Sequence, residues 1–168
     1  MKYLRFCFIL FLLFIISILT GCAAPEMVIR QTAQIKLNQY TDFYFKTESG
    51  IAEDITEELV QLESEVSKKV SALNKFQHFE LGIPKETKPN IISAKAVITK
   101  INKVSGLATF FIGVFAGREQ ITIEITFTDA ATGKNVCAFT VNEGSAKISA
   151  TIDFAAEKIA ETILQNYQ

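Results

Sequence analysis

Between Gln120 and Asp129 the chain alternates without a break. Ile121, Ile123, Ile125 and Phe127 fall in one register, and Thr122, Glu124, Thr126 and Thr128 in the other. Successive strand side chains point to opposite faces, so this segment reads as a strand with one apolar face and one polar face. A sheet built on such a strand needs an apolar cover on one side only. Two segments of helical period can supply it. Ile55, Leu59, Leu62, Val66, Val70 and Leu73 recur every three or four residues, as do Ile152, Ala155, Ala156, Ile159, Ala160 and Ile163. The spacing predicts helices over 54–76 and 151–166. Asp54 suits the start of the first, with Glu53, Glu57 and Glu58 as N-terminal charge and Lys68, Lys69 and Lys75 toward the other end of the dipole. Lys69 stands where a heptad needs an apolar residue, which excludes a coiled coil. Burial is worth about 1.5–3 kcal/mol per aliphatic side chain, so either stripe outweighs the surface charges around it.

The remaining strands are shorter signals. Tyr40 to Phe45 is aromatic and extended in character, and Ile91 to Ile101 is rich in β-branched residues. His78 to Leu81 reads as a short strand or an exit turn before the loop bracketed by Pro84 and Pro89. Ala130 to Asn135 is a turn in which Gly133 supplies a positive φ, and Val136 to Val141 returns as the hairpin partner. The order β-α-β-β-β-α predicts an α+β fold, a mainly antiparallel sheet with two amphipathic helices packed on one face. The small Ala positions of the second helix imply close packing on that sheet.

The N-terminus decides the compartment. Lys2 and Arg5 precede a run from Phe6 to Leu19 that is apolar except for Ser17. The run is shorter than the roughly 17–25 residues of a spanning helix and has the layout of a secretory signal. Leu19-Thr20-Gly21-Cys22 resembles the bacterial lipobox. That resemblance implies diacylglyceryl transfer to the Cys22 thiol, cleavage between Gly21 and Cys22, and acylation of the new amino group. Two or more acyl chains anchor a protein stably where one does not. Ala23 rather than Asp after the Cys resembles the outer-membrane sorting pattern of diderm bacteria. In a monoderm host the same anchor would hold the protein on the outer face of the plasma membrane. The expected division is a signal peptide at 1–21, a tether at 22–38 with a strand at most near Ile35 to Leu37, and one α+β domain at 39–168. Cys7 leaves with the signal and Cys22 carries lipid, so Cys137 has no partner for an internal disulfide and reads as a buried, inert thiol on a strand.

Val104 to Gly117 is apolar, uncharged and too long for a tight connection. As a helix it would align Leu107, Phe110, Phe111, Val114 and Phe115 on one face. Three roles fit: a core-packed excursion, a subunit contact, or a segment dipping into the lipid surface near the anchor. These five residues are the candidate interaction loop.

The rest of the composition narrows the chemistry. The 168 residues carry 17 Lys plus Arg and 18 Asp plus Glu, and losing Lys2 and Arg5 with the signal makes the mature chain more acidic. Its basic residues are scattered and not interleaved with aromatics, so no nucleic-acid partner is expected. His78, the single His, has no Cys at ligand spacing and reads as a surface or capping residue. No strained Gly-x-Ser-x-Gly turn and no phosphate-binding glycine loop occur. No catalytic residue, metal or cofactor is expected, and the chain reads as non-enzymatic.

The segment from Phe115 to Lys134, with Ala116-Gly117 before the alternating strand and Asp129-Ala130-Ala131-Thr132-Gly133-Lys134 after it, resembles the bacterial lipoproteins grouped as the domain of unknown function 4410 family. The likeness runs over about residues 38 to 165 and implies a cell-envelope lipoprotein with no assigned activity. Two functions stay open. One is a protein-interaction or assembly module, lipid-anchored in the cell envelope and at the outer membrane facing the periplasm, whose partner is a further copy or another envelope protein. The other is a binder of a small apolar or lipid ligand between helix and sheet.

Overall fold

The computed structural model describes residues 26–32, 36–103, 119–145 and 147–167. In chain order these form β1 (Glu26–Thr32), a short 3-10 turn (Leu37–Gln39), β2 (Asp42–Ser49), α1 (Thr56–Leu73), β3 (His78–Leu81), β4 (Ile91–Asn102), β5 (Glu119–Asp129), β6 (Asn135–Ser145) and α2 (Ile148–Asn166). The strands make one six-stranded sheet in the order β1-β6-β5-β4-β2-β3. Three of its five pairings are antiparallel, and β2 runs parallel to both β3 and β4. The expected α+β class is the one observed. The parallel pairings follow from two returns of the chain to the same end of the sheet, through α1 between β2 and β3 and through residues 82–90 between β3 and β4.

The alternation read in β5 holds residue by residue. Ile121, Ile123, Ile125 and Phe127 are fully buried, while Thr122, Glu124, Thr126 and Thr128 are only half-buried. Register extends this face across the sheet, with Phe45, Ala94, Phe127 and Cys137 in one row and Ile98, Ile123 and Val141 in another. Leu62, Val66 and Val70 of α1 and Ile152, Ala155, Ala156, Ile159 and Ile163 of α2 close the same core. Lys69, the polar interruption of the first stripe, reaches Asp153 of α2 at 2.9 Å and ties the helices at their outer edge.

Two strands lie beyond the expected order. His78 to Leu81 is β3, too short to show its own period and held at the edge by β2. Glu26 to Thr32, inside the expected tether, is β1, antiparallel to β6. The strand stands earlier in the chain than the Ile35–Leu37 position. The reason is non-local: β6 offers a free edge of backbone N–H and C=O groups, and β1 satisfies it.

The local stops behave as the chemistry requires. α1 ends on Asn74 in the left-handed region (φ 50°), whose N–H donates to the Ser71 carbonyl at 3.2 Å. Gly133 (φ 67°) closes the β5–β6 turn, its N–H donating to the Asp129 carbonyl at 2.9 Å.

Candidate functional site

Gly21 and Cys22 of the lipid anchor, and Leu107, Phe110, Phe111, Val114 and Phe115 of the apolar loop, lie outside the described residues. The described residues do fix where the chain enters and leaves around them, and this separates the sheet into two ends of different chemistry.

At the first end β4 finishes at Asn102, β5 starts at Glu119 and both helices begin. α1 starts at Thr56, two residues later than expected, and Asp54 stands one residue ahead of the N-cap Ile55. Asp54 accepts from the Thr56 N–H at 3.1 Å and from its hydroxyl at 2.7 Å, which holds the Asp54 carboxyl below its usual range. Glu58, read as one more N-terminal charge, does something else. It is buried, and its Oε1 accepts from Lys103 Nζ at 2.7 Å while Oε2 is buried with no partner among the described residues. That bond pushes the Lys103 ammonium above its usual range. The signal was available: Glu58 stands three residues after Ile55 and four before Leu62, on the buried stripe. Asp54, Thr56, Glu57, Glu58 and Lys103 line a cavity of about 260 Å³. Glu119 caps the other helix from a distance, its Oε2 accepting from the Ile148 N–H at 2.8 Å. No local motif announces this cap, because donor and acceptor are 29 residues apart.

The second end holds the starts of β2, β3 and β4 and the β5–β6 turn. Tyr40 is buried and donates to Asp129 Oδ2 at 2.7 Å, while Asp129 Oδ1 accepts from the Thr132 N–H and hydroxyl at 2.8 and 2.9 Å. Burial first, then the Asp129 bond, pushes the Tyr40 hydroxyl from 10.0 up to about 12. The same bond, with the Thr132 donors, holds the Asp129 carboxyl below its usual range. Asp42 Oδ2 accepts from the Thr41 hydroxyl at 2.8 Å and the Asn90 amide at 2.7 Å. His78 is exposed, with Nε2 4.0 Å from Asp42 Oδ1, as a surface reading expects. Asp42, His78 and Asn90, with Tyr44, Lys85, Glu86, Lys88 and Ile91, border an open cavity of about 400 Å³. Among the described residues no group of His, Cys, Asp and Glu is placed to hold a metal ion.

The sheet face away from the helices carries Lys46 and Lys95, both paired with Glu48, the latter at 3.4 Å. The opposite interval, where an apolar ligand would enter, is filled by Phe43, Phe45, Phe127 and the helix side chains. Phe43 stacks on Phe76 and Phe79 with centroids 5.0 and 5.8 Å apart. Cys137 is buried with no disulfide, and burial raises its thiol pKa. Among the described residues no helix is long and apolar enough to cross a membrane.

The family profile described as "Domain of unknown function (DUF4410)" matches residues 34–149, from just before the 3-10 turn to the start of α2. The chain belongs to this family. No curated protein matches the sequence at a significant level. Among solved structures, this DUF4410 domain is similar to the PelC dodecamer from Paraburkholderia phytofirmans, with a TM-score of 0.56 and 9% identity over 86% of this chain and 98% of that one. It is more loosely similar to lipoprotein GNA1162 from Neisseria meningitidis, with a TM-score of 0.40 and 11% identity over 74% of this chain and 99% of that one. At these identities the likeness is one of fold.

Proposed function

We propose that this DUF4410 chain is a non-enzymatic lipoprotein of the bacterial cell envelope. Acyl chains on Cys22 hold it at the outer membrane, facing the periplasm, and it assembles with further copies of itself. The observation that carries the anchor is positional. The lipobox ends at Cys22 and the first described element, β1, begins at Glu26, so cleavage before Cys22 removes no described strand. Self-assembly is supported by the PelC likeness, since a chain of the same fold, nearly all of it covered, was solved as a dodecamer.

Two measurements test the reading. Intact mass of the purified membrane form should begin at residue 22 and carry acyl groups, and Cys22→Ala should leave the precursor uncut and unacylated. A product that still starts at Met1, or one starting at residue 22 without acyl mass, overturns the anchor. Native mass spectrometry of the acylated protein in detergent should give a discrete multiple of the chain mass. A monomer at the same concentration overturns the assembly.

A further inference from the structure

The lipid attaches to one point of the chain, and the register of β1 decides which end of the domain that point reaches. Glu26 pairs with Asn142, Asn142 with Thr122, and Thr122 with Lys100. Glu26 is therefore level with Lys100, two residues short of the end of β4. Along β1 the partners run from Asn142 at Glu26 down to Cys137 at Thr32. Followed backward from Glu26, the chain leaves the sheet at the end where β4 stops, β5 starts and both helices begin.

Only the residues from Cys22 to Glu26 separate the lipid from the sheet. Fully extended, they span at most about 14 Å. From the level of Thr122 to Asp129 at the opposite end is seven strand residues, about 23 Å at 3.3 Å each. The strap cannot bring that far end to the plane of its own acyl chains. A free tether over 22–38 would behave differently, because a flexible chain of that length has a root-mean-square span of about 20–25 Å and lets a domain turn either way. Pairing β1 onto β6 removes that freedom. Lying on its side along β1 is disfavoured too, since it would put an unpaired strand edge against lipid, where backbone groups find no water.

We infer, on the basis of the Cys22 acylation proposed above, that the domain stands on the bilayer with the end at which β4 stops and both helices begin turned to the lipid headgroups. The turn Ala130–Lys134 and the Asp42–Asn90 cavity then face away from the membrane. Charge does not create this orientation. Glu53, Asp54 and Glu57 are exposed at the membrane-facing end beside the equally exposed Lys100, Lys103 and Lys147, so the two signs offset one another toward anionic headgroups. The covalent lipid and the short strap set it, so it should persist at high salt.

The chain has no Trp, which permits a clean optical test. Asn102→Trp and Lys134→Trp place single reporters at exposed sites on the two ends. The full acylated protein is reconstituted into phosphatidylethanolamine–phosphatidylglycerol vesicles with a nitroxide on a fraction of the headgroups. Intact mass and vesicle flotation establish acylation first, so a failed anchor is scored against the reading above. If Cys22 proves unacylated, the same comparison is run with a maleimide lipid coupled to Cys22. The expected result is quenching several-fold stronger at position 102 than at 134, unchanged by salt. Inserting sixteen Gly-Ser residues between Pro25 and Glu26 should bring the two positions toward equal quenching. Equal quenching without the insertion, stronger quenching at 134, or a difference that survives the insertion undiminished would each overturn the inference.

Discussion

Strand β5 writes two surfaces with one run of residues. Toward the helices it sets Ile121, Ile123, Ile125 and Phe127 in a fully buried row, and toward the other side Thr122, Glu124, Thr126 and Thr128, half-buried and polar. The helix-side face is continuous with β4, β6 and both helices, so each side chain there is surrounded by others. On the open face the neighbours are short polar side chains and the Lys46–Glu48–Lys95 group. The difference teaches that stability is concentrated on one face, while the open face can change with little cost.

The sharpest way to break that asymmetry is Phe127→Ala. Phe127 is fully buried, with its ring 6.0 Å from Phe43 and 6.4 Å from Phe139. Its removal should cost about 3–5 kcal/mol, read as a shift of the urea midpoint at unchanged slope. Ala156→Leu tests the same face in the other direction. Ala156 has no exposed surface, and overpacking between α2 and the sheet should cost about 1–3 kcal/mol by the same measurement.

Tyr40→Phe probes the boundary of the two faces and should cost about 1–2 kcal/mol near neutral pH, because the hydrogen bond it removes runs to a carboxylate. Its pH dependence has a defined sign. Tyr40 titrates at about 12 in the fold against 10.0 ordinarily, so its contribution is complete below pH 10 and is lost as pH rises toward 12. Asp129 is lowered, so its contribution is complete above its ordinary value and is lost as pH falls through the folded one. Wild type and variant should therefore converge in stability at both extremes, as read from denaturation midpoints across pH. A constant gap from acid to alkali would exclude the Tyr40–Asp129 bond as its source. The smallest effect belongs to the open face. Lys95→Ala, which removes a half-exposed partner of Glu48, should shift stability by no more than about 0.5 kcal/mol.

The core was legible because periodicity is local. The period of β5 predicted its buried face residue for residue, and the stripe of α1 predicted Leu62, Val66 and Val70. Both helices are close to their expected spans, at Thr56–Leu73 and Ile148–Asn166. Part of the polar chemistry was legible on the same basis. Asp54 does bond the first turn of α1, though from one residue before the N-cap, while the spacing of Glu58 assigns it to the buried stripe and not to the N-terminal charge. Glu119 and the Tyr40–Asp129 bond could not be read, because their partners are 29 and 89 residues away and no local pattern links them. β1 escaped for a related reason. Glu26 to Thr32 has no clean alternation, and it is a strand only because β6 presents an unpaired edge.

By itself the sequence determined both helices and strands β2, β4, β5 and β6, which face of β5 is buried, and that Cys22 ends a lipobox, since each depends on residues adjacent in the chain. Only the tertiary structure decided the strand order β1-β6-β5-β4-β2-β3, the parallel neighbours of β2 and the end of the sheet toward which β1 leads back to Cys22. Those depend on which backbone edges meet across the sheet. Hydrogen bonds between strands are the same for any sequence, so neighbour and register are selected by how all the side chains pack at once.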